Sequence, residues 1–129
     1  MDGAGKETRP RIEAVKREGI MAYDEGLAQR VREAMEALTG YEEKKMFGGI
    51  GFMLEGNMAT GVIGEDLIVR VGREQYEEAL AEPQARPFDM TGRPMTGWVV
   101  FTGAAYASDE ELTAWVQRGV DFAGSLPPK

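Results

Sequence analysis

A chain of 129 residues fits one domain, and a domain of that size buries about two-thirds of its unfolded surface without a metal or disulfide staple. It contains neither cysteine nor histidine, which excludes disulfides, thiolate nucleophiles, His/Cys zinc sites and Ser-His-Asp or Cys-His catalysis; carboxylate or main-chain metal sites are all that survive. Formal net charge is −7, which argues against a nonspecific polyanion binder. No apolar run has membrane-spanning length and no apolar h-region marks a secretory signal, so the expectation is a cytoplasmic protein with no membrane contact.

Residues 1–20, MDGAGKETRPRIEAVKREGI, differ from the rest. They hold five basic and four acidic residues, three glycines and no aromatics, and only Ile12, Val15 and Ile20 are large and apolar. That composition reads as a disordered or frayed extension. The folded domain is expected over residues 21–129. Asp24 suits an N-cap. Leu27, Ala28, Val31, Ala34, Met35 and Leu38 then recur at steps of three and four, which predicts an amphipathic helix stopped at Thr39-Gly40.

The period changes at Glu42. Met46, Ile50, Phe52 and Leu54 mark an extended segment in which Gly48-Gly49 reads as a bulge. Gly56-Asn57 suits a two-residue hairpin turn leading to a second strand that ends at Ile63. Gly64-Glu65-Asp66 turns the chain again, and Leu67 to Val71 form a third strand. Helical spacing returns over Arg73 to Ala81 and stops at Pro83. Residues 87–90 and 98–101 read as two more strands. Ser108 and Glu111 form a capping box ahead of a stripe through Leu112, Trp115, Val116, Gly119, Phe122, Ala123 and Leu126. The predicted order is α-β-β-β-α-β-β-α. It implies a two-layer α+β domain, an antiparallel sheet of about five strands with helices on one face.

EKKMFGGIGFMLEGNMATGV (Glu43 to Val62), LIVRVG (Leu67 to Gly72) and TGRPMTGWV (Thr91 to Val99) together resemble the N-terminal domain of TfoX/Sxy, bacterial regulators of competence development. The resemblance covers residues 21–129. It implies a fold shared with type III secretion chaperones, a regulatory role, and no catalytic residues. Full-length regulators of that type carry a second, C-terminal domain, whereas this chain ends at Lys129.

Gly48-Gly49-Ile50-Gly51 is not G-x-G-x-x-G, lacks a Gly-Lys-Ser/Thr ending and precedes no helix, so it does not read as a phosphate loop. Lys44, Lys45, Arg70 and Arg93, with Arg73 and Arg86, lie in or beside strands; they form either an anionic-ligand patch or a solvated sheet edge. The paired carboxylates at Glu42-Glu43, Glu77-Glu78 and Asp109 to Glu111 lack the desolvation that acid catalysis requires. The methionines at 35, 46, 53, 58, 90 and 95 read mainly as core filling and secondarily as an adaptable binding surface. Trp98 and Trp115 read as core anchors.

The resulting expectation is a non-catalytic, cofactor-free module that acts through protein–protein contact. It is linked to transcription only by its family, does not bind DNA directly, and pairs as a homodimer through the sheet face that the helices leave open. The alternatives are a small-molecule or anion-binding domain using the Lys/Arg residues beside the sheet, and, last, an enzyme using only carboxylates, Arg, Lys and Tyr.

Overall fold

The computed structural model describes residues 23–46, 48–89 and 92–129. The expected extension at 1–20 lies outside the described residues. The first described helix, α1 (Glu25–Met35), begins where Asp24 accepts hydrogen bonds from the amides of Gly26 and Leu27, at 2.8 and 3.1 Å. Its inward stripe is Leu27, Ala28, Val31 and Met35, all buried. The helix stops one turn short of the expected end, and Leu38 is left 38% exposed in the turn that follows.

Six strands come next, interrupted by one short helix: β1 (Tyr41–Met46), β2 (Gly49–Leu54), β3 (Asn57–Ile63), β4 (Asp66–Arg70), α2 (Tyr76–Leu80), β5 (Ala85–Pro87) and β6 (Trp98–Phe101). A 3₁₀ turn (Gly103–Tyr106) leads into α3 (Asp109–Gly124), whose start carries the complete Ser108/Glu111 capping box. The strands form one open sheet in the order β1-β2-β3-β4-β6-β5, with every neighbouring pair antiparallel. Among the described residues no helix is long and apolar enough to cross a membrane.

The sheet has six strands where about five were expected, within the same α+β antiparallel architecture. Gly48-Gly49 is not a bulge inside one strand. Gly48 has φ 74°, a left-handed conformation that turns the chain, and Met46 pairs with Gly49 to close a hairpin. The irregularity falls one hairpin later: Phe52 faces Thr60 but Met53 faces Met58, which leaves Ala59 as the extra residue. The β2–β3 turn also sits one residue earlier than expected, on Glu55 (φ 51°) and Gly56 (φ 86°), a pair of left-handed residues that fits a tight hairpin. The strand expected at 87–90 is found at Ala85–Pro87, and Met90 lies outside the described residues. The second helix shortens to Tyr76–Leu80 because residues 73–75 form a turn.

The three described α-helices contribute to one core. Leu27, Val31 and Met35 of α1, Tyr76 and Ala79 of α2, and Leu112, Val116 and Ala123 of α3 join Ile50, Phe52, Val62, Leu67, Val69, Val99 and Phe101 of the sheet in a single buried cluster. Fully burying one such side chain is worth about 1.5–3 kcal/mol. Gly119 lets α3 lie directly on β3, since a Cβ there would meet the Ala59 carbonyl oxygen at 2.4 Å. Trp115 is only half-buried. It flanks the cluster, tilted against Phe101 with ring centres 4.0 Å apart and with the Arg118 guanidinium carbon 5.0 Å from its ring centre. The described helices thus occupy one face of the sheet and, among the described residues, leave the other to the strands' alternate side chains.

Candidate functional site

The open face is built from residues one step out of phase with the core. Lys44 pairs with Gly51, Gly51 with Gly61, and Gly61 with Ile68, so these four form one row across β1 to β4. The row continues through Val100 to Arg86. Its two adjacent glycines leave the centre without side chains, and methionines lie into the gap. A Cβ on Gly51 would stand 3.2 Å from Met46 Cε and 3.4 Å from Met58 Sδ; one on Gly61 would stand 2.6 Å from Met58 Cε. Met53, cross-strand partner of Met58, is 7% exposed. The result is a trough floored by glycine and walled by unbranched, polarizable thioethers that repack easily around an irregular surface.

Beyond the trough, Ile68, Phe88 and Val100 form a second, smaller cluster bordered by Ile63 and Trp98, and among the described residues no helix contributes to it. Phe88 leans on Trp98 with ring centres 6.1 Å apart. The segment after β5 thus folds back over one end of the face and covers part of the apolar surface expected to be open.

Arg70 stands at the rim of the same face, opposite Trp98. Its guanidinium carbon lies 5.0 Å from the centre of the Trp98 ring and 5.2 Å from that of Phe122. Nη1 reaches the Met58 carbonyl at 3.5 Å, and among the described residues no carboxylate lies within ion-pair distance. Burial lowers the pKa of the guanidinium. Two aromatic faces hold the cation in place, so a carboxylate arriving there meets a planar donor that is already oriented and partly dehydrated.

The other expected cations are spread apart. Lys44 shares the open face with Arg70 but sits on β1, three strand spacings (about 14 Å) across the sheet and two residues out of its row. Lys45 pairs with the core-facing Ile50, on the opposite side of β1. Arg93 is exposed in the segment between β5 and β6, Arg73 is exposed just beyond β4, and Arg86 is tied to Asp66 at 2.7 Å. The fold does not draw these six into one patch. Arg70 is the one set in a built environment, and the row of paired glycines beside it could not be read without the strand register.

The strongest electrostatic cluster lies elsewhere. Arg32 of α1 grips Glu43 of β1 through Nε and Nη2, the latter at 3.0 Å from Oε1, and the Tyr41 hydroxyl donates to the same carboxylate. The Arg32 hydrogen bond holds the Glu43 carboxyl below its usual pKa. That same bond raises the Arg32 pKa. Burial, then the bond to Glu43, pushes the Tyr41 hydroxyl up. Each partner is locked in its ordinary charge state, so the cluster fastens α1 to the edge strand and leaves no group poised to exchange a proton near neutrality.

The remaining acidic groups are similarly engaged or exposed. Glu78 meets Arg118 at 3.4 Å, Asp109 meets Arg30 at 3.2 Å, and Glu111 closes the α3 cap. Among the described residues no three acidic side chains converge as a metal site would require. A depression of about 520 Å³ along α3, lined by Asp109, Glu110, Thr113, Ala114 and Gln117, is a stretch of solvent-facing helix surface. Gly48 to Gly51 run from a turn straight into β2, with no helix N-terminus to receive a phosphate.

Comparison with known proteins agrees with this architecture. No curated relative matches the chain. A family model described as the TfoX N-terminal domain matches residues 33–123, from the last turns of α1 to the end of α3. The match takes in the whole sheet, the methionine-walled trough and Arg70. The chain therefore belongs to the TfoX N-terminal domain family, a family of regulatory modules.

Proposed function

We propose that this chain is a non-catalytic interaction module that works by holding another protein, and that its link to transcription runs through that protein. The observation that carries the reading is the open sheet face. It presents an adaptable methionine-walled trough beside a ring-held arginine, residue types enriched at protein–protein interfaces, and none of the described helices packs into its cluster. The Glu43 carboxyl and the Tyr41 hydroxyl, both with shifted pKa values, sit in one structural cluster with Arg32, which favours binding over chemistry. Direct contact with nucleic acid is disfavoured by 22 acidic against 15 basic residues and by the Asp109-Glu110-Glu111 start of α3, which repels a phosphate backbone.

The test compares partner capture from source-cell lysate by the parent, by Met58→Asp, and by Gln117→Ala on the outer surface of α3. Loss with Met58→Asp and retention with Gln117→Ala is expected. Equal capture by all three would remove the open face from the proposal. A companion titration with duplex DNA at roughly 50 mM salt should show no binding tighter than the nonspecific micromolar range.

A second reading rests on Arg70 alone, a dehydrated cation with no ion-pair partner among the described residues. Saturable binding of a small carboxylate that is abolished by Arg70→Gln would support capture of a free anion in place of a protein.

A further inference from the structure

The sheet has two outer strands, and they differ. β5 is three residues long and ends at Pro87, which has no amide to offer a neighbour. β1 is six residues long, contains no proline, and carries the exposed run Glu42-Glu43-Lys44-Lys45. Among the described residues no strand pairs with its outer side. At its start the Glu55 amide donates to the Gly40 carbonyl at 2.8 Å. Bonded and non-bonded pairs alternate along an antiparallel ladder, so the main-chain groups of Glu42 and Lys44 turn toward β2 and those of Tyr41, Glu43 and Lys45 turn outward. The Tyr41 amide is taken up by the Leu38 carbonyl at 3.3 Å. The Tyr41 carbonyl and both groups of Glu43 and Lys45 are a template for another strand.

Charges on such an edge ordinarily keep other strands away. Here their order suits one particular strand, a second copy of β1. Two identical edges pair antiparallel about a two-fold axis perpendicular to the sheet, and side chains opposite each other then share a face. Residues in opposition must therefore differ by an even number, and the axis falls on a single residue. With the axis at Glu43, Glu42 of each copy stands opposite Lys44 of the other on the open face, which gives two identical attractive pairs. The like-charged pair is Glu43 with itself, and each Glu43 carboxylate is already held by Arg32 and Tyr41 of its own chain. With the axis at Lys44, Glu43 would face Lys45, but Glu43 already has its cation. Lys44 would then meet its own copy, with no carboxylate within ion-pair distance among the described residues. Charge selects the first register. The main chain accepts it as well: each Glu43 amide meets the opposite Glu43 carbonyl, and each Lys45 amide the opposite Tyr41 carbonyl.

We infer that two copies of this chain join β1 to β1 about an axis at Glu43, with Glu42 of each opposite Lys44 of the other, so that their two sheets become one. Both open faces then lie on the same side of that sheet, with a methionine-walled trough on each side of the joint. The joint uses the strand edge and leaves the open faces uncovered. It goes beyond the reading of those faces as a partner surface and does not depend on it.

Sedimentation equilibrium on the full chain tests the joint by charge exchange. The parent should dimerise, and more weakly as salt rises. Glu42→Lys and Lys44→Glu should each turn two attractive pairs into two like-charged ones and raise the dimer dissociation constant by roughly tenfold or more. The double variant carrying both exchanges restores every pair, as does an equimolar mixture of the two single variants, and both should dimerise like the parent. That recovery separates a lost contact from a damaged fold. A parent that stays monomeric at high micromolar concentration would overturn the inference. So would a dimer indifferent to the single exchanges, or single exchanges that the double variant does not rescue. A dimer lost in Met58→Asp but kept in Glu42→Lys would place the contact on the open face and also overturn it. No outside protein enters the measurement, so failure of the partner reading leaves its outcome unaffected.

Discussion

Replacing Gly119 with alanine sets two physical effects against each other. In a helix interior alanine is favoured over glycine by about 1 kcal/mol, so propensity alone predicts a more stable protein. The structure predicts the reverse. A Cβ at 119 would stand 2.4 Å from the Ala59 carbonyl oxygen and 3.0 Å from Thr60 Cγ2. The first of these is main chain in the middle of a sheet, so no side-chain rotation relieves it. The helix must retreat by roughly half an ångström or more, and in a close-packed interior that also loosens Leu112, Val116 and Ala123. Overpacking of this kind costs about 1–3 kcal/mol. With a main-chain obstacle the upper part of that range applies, which leaves a net loss of about 1–2 kcal/mol after propensity. For a domain of this size the thermal midpoint should fall by roughly 3–10 °C. Gly124→Ala is the control: it lies in the same helix with nothing within 4 Å of its added Cβ, and should be neutral or stabilising by up to about 1 kcal/mol. Thermal and urea unfolding followed by circular dichroism read both. A Gly119→Ala protein as stable as the parent, or shifted upward like Gly124→Ala, would show that α3 is not seated on β3 as described.

Trp115→Ala removes a half-buried ring packed at a tilt against Phe101, so the loss should be about 2–3 kcal/mol, below the range for a fully buried aromatic; a lowered midpoint with a still cooperative transition is expected, and complete unfolding would mean the ring carries more of the core than its exposure implies. Glu43 has a depressed carboxyl pKa in the folded state, so its contribution is present above the ordinary glutamate pKa and is lost as pH falls through the folded value. Glu43→Gln should therefore cost about 0.2–1 kcal/mol at neutral pH, and parent and variant should converge in urea titrations toward roughly pH 3; a gap that persists in acid would assign the effect to packing.

The parts of the fold that were legible in the sequence are those set by local chemistry. The Asp24 cap and the Ser108/Glu111 box follow from side chains that satisfy their own backbone, and the strand at Trp98–Phe101 from a short, continuous β-branched and aromatic run. What was not legible depended on conformation that the residue type leaves open. A glycine pair serves a bulge or a turn equally well, and only the pairing of Met46 with Gly49 decides between them. Glu55 gives no hint that it adopts a left-handed conformation. The bulge at Ala59 has no marker residue. The candidate site was obscured for the same reason: Gly51 and Gly61 face each other only once the register is fixed, and Arg70 could not be separated from five other cations until Trp98 and Phe122 were seen to flank it.

The order of the strands also bears on how the chain folds. From β1 to β4, neighbours in the sheet are neighbours in sequence, joined by tight turns, so their loop-closure cost is small and each hairpin can form in roughly 1–10 μs. The long-range closure is the docking of α1 against the far end of the chain, through Arg30 to Asp109 and to the Tyr106 carbonyl, 79 and 76 positions apart. That contact has to wait for β6 and the 3₁₀ turn to be placed. The meander therefore belongs to the folding nucleus and the α1–α3 contact to the downhill side of the barrier. Stopped-flow kinetics can check this order: Val62→Ala, in the meander, should mainly slow refolding, whereas Arg30→Ala should mainly speed unfolding, and the opposite partition would place helix docking ahead of the sheet.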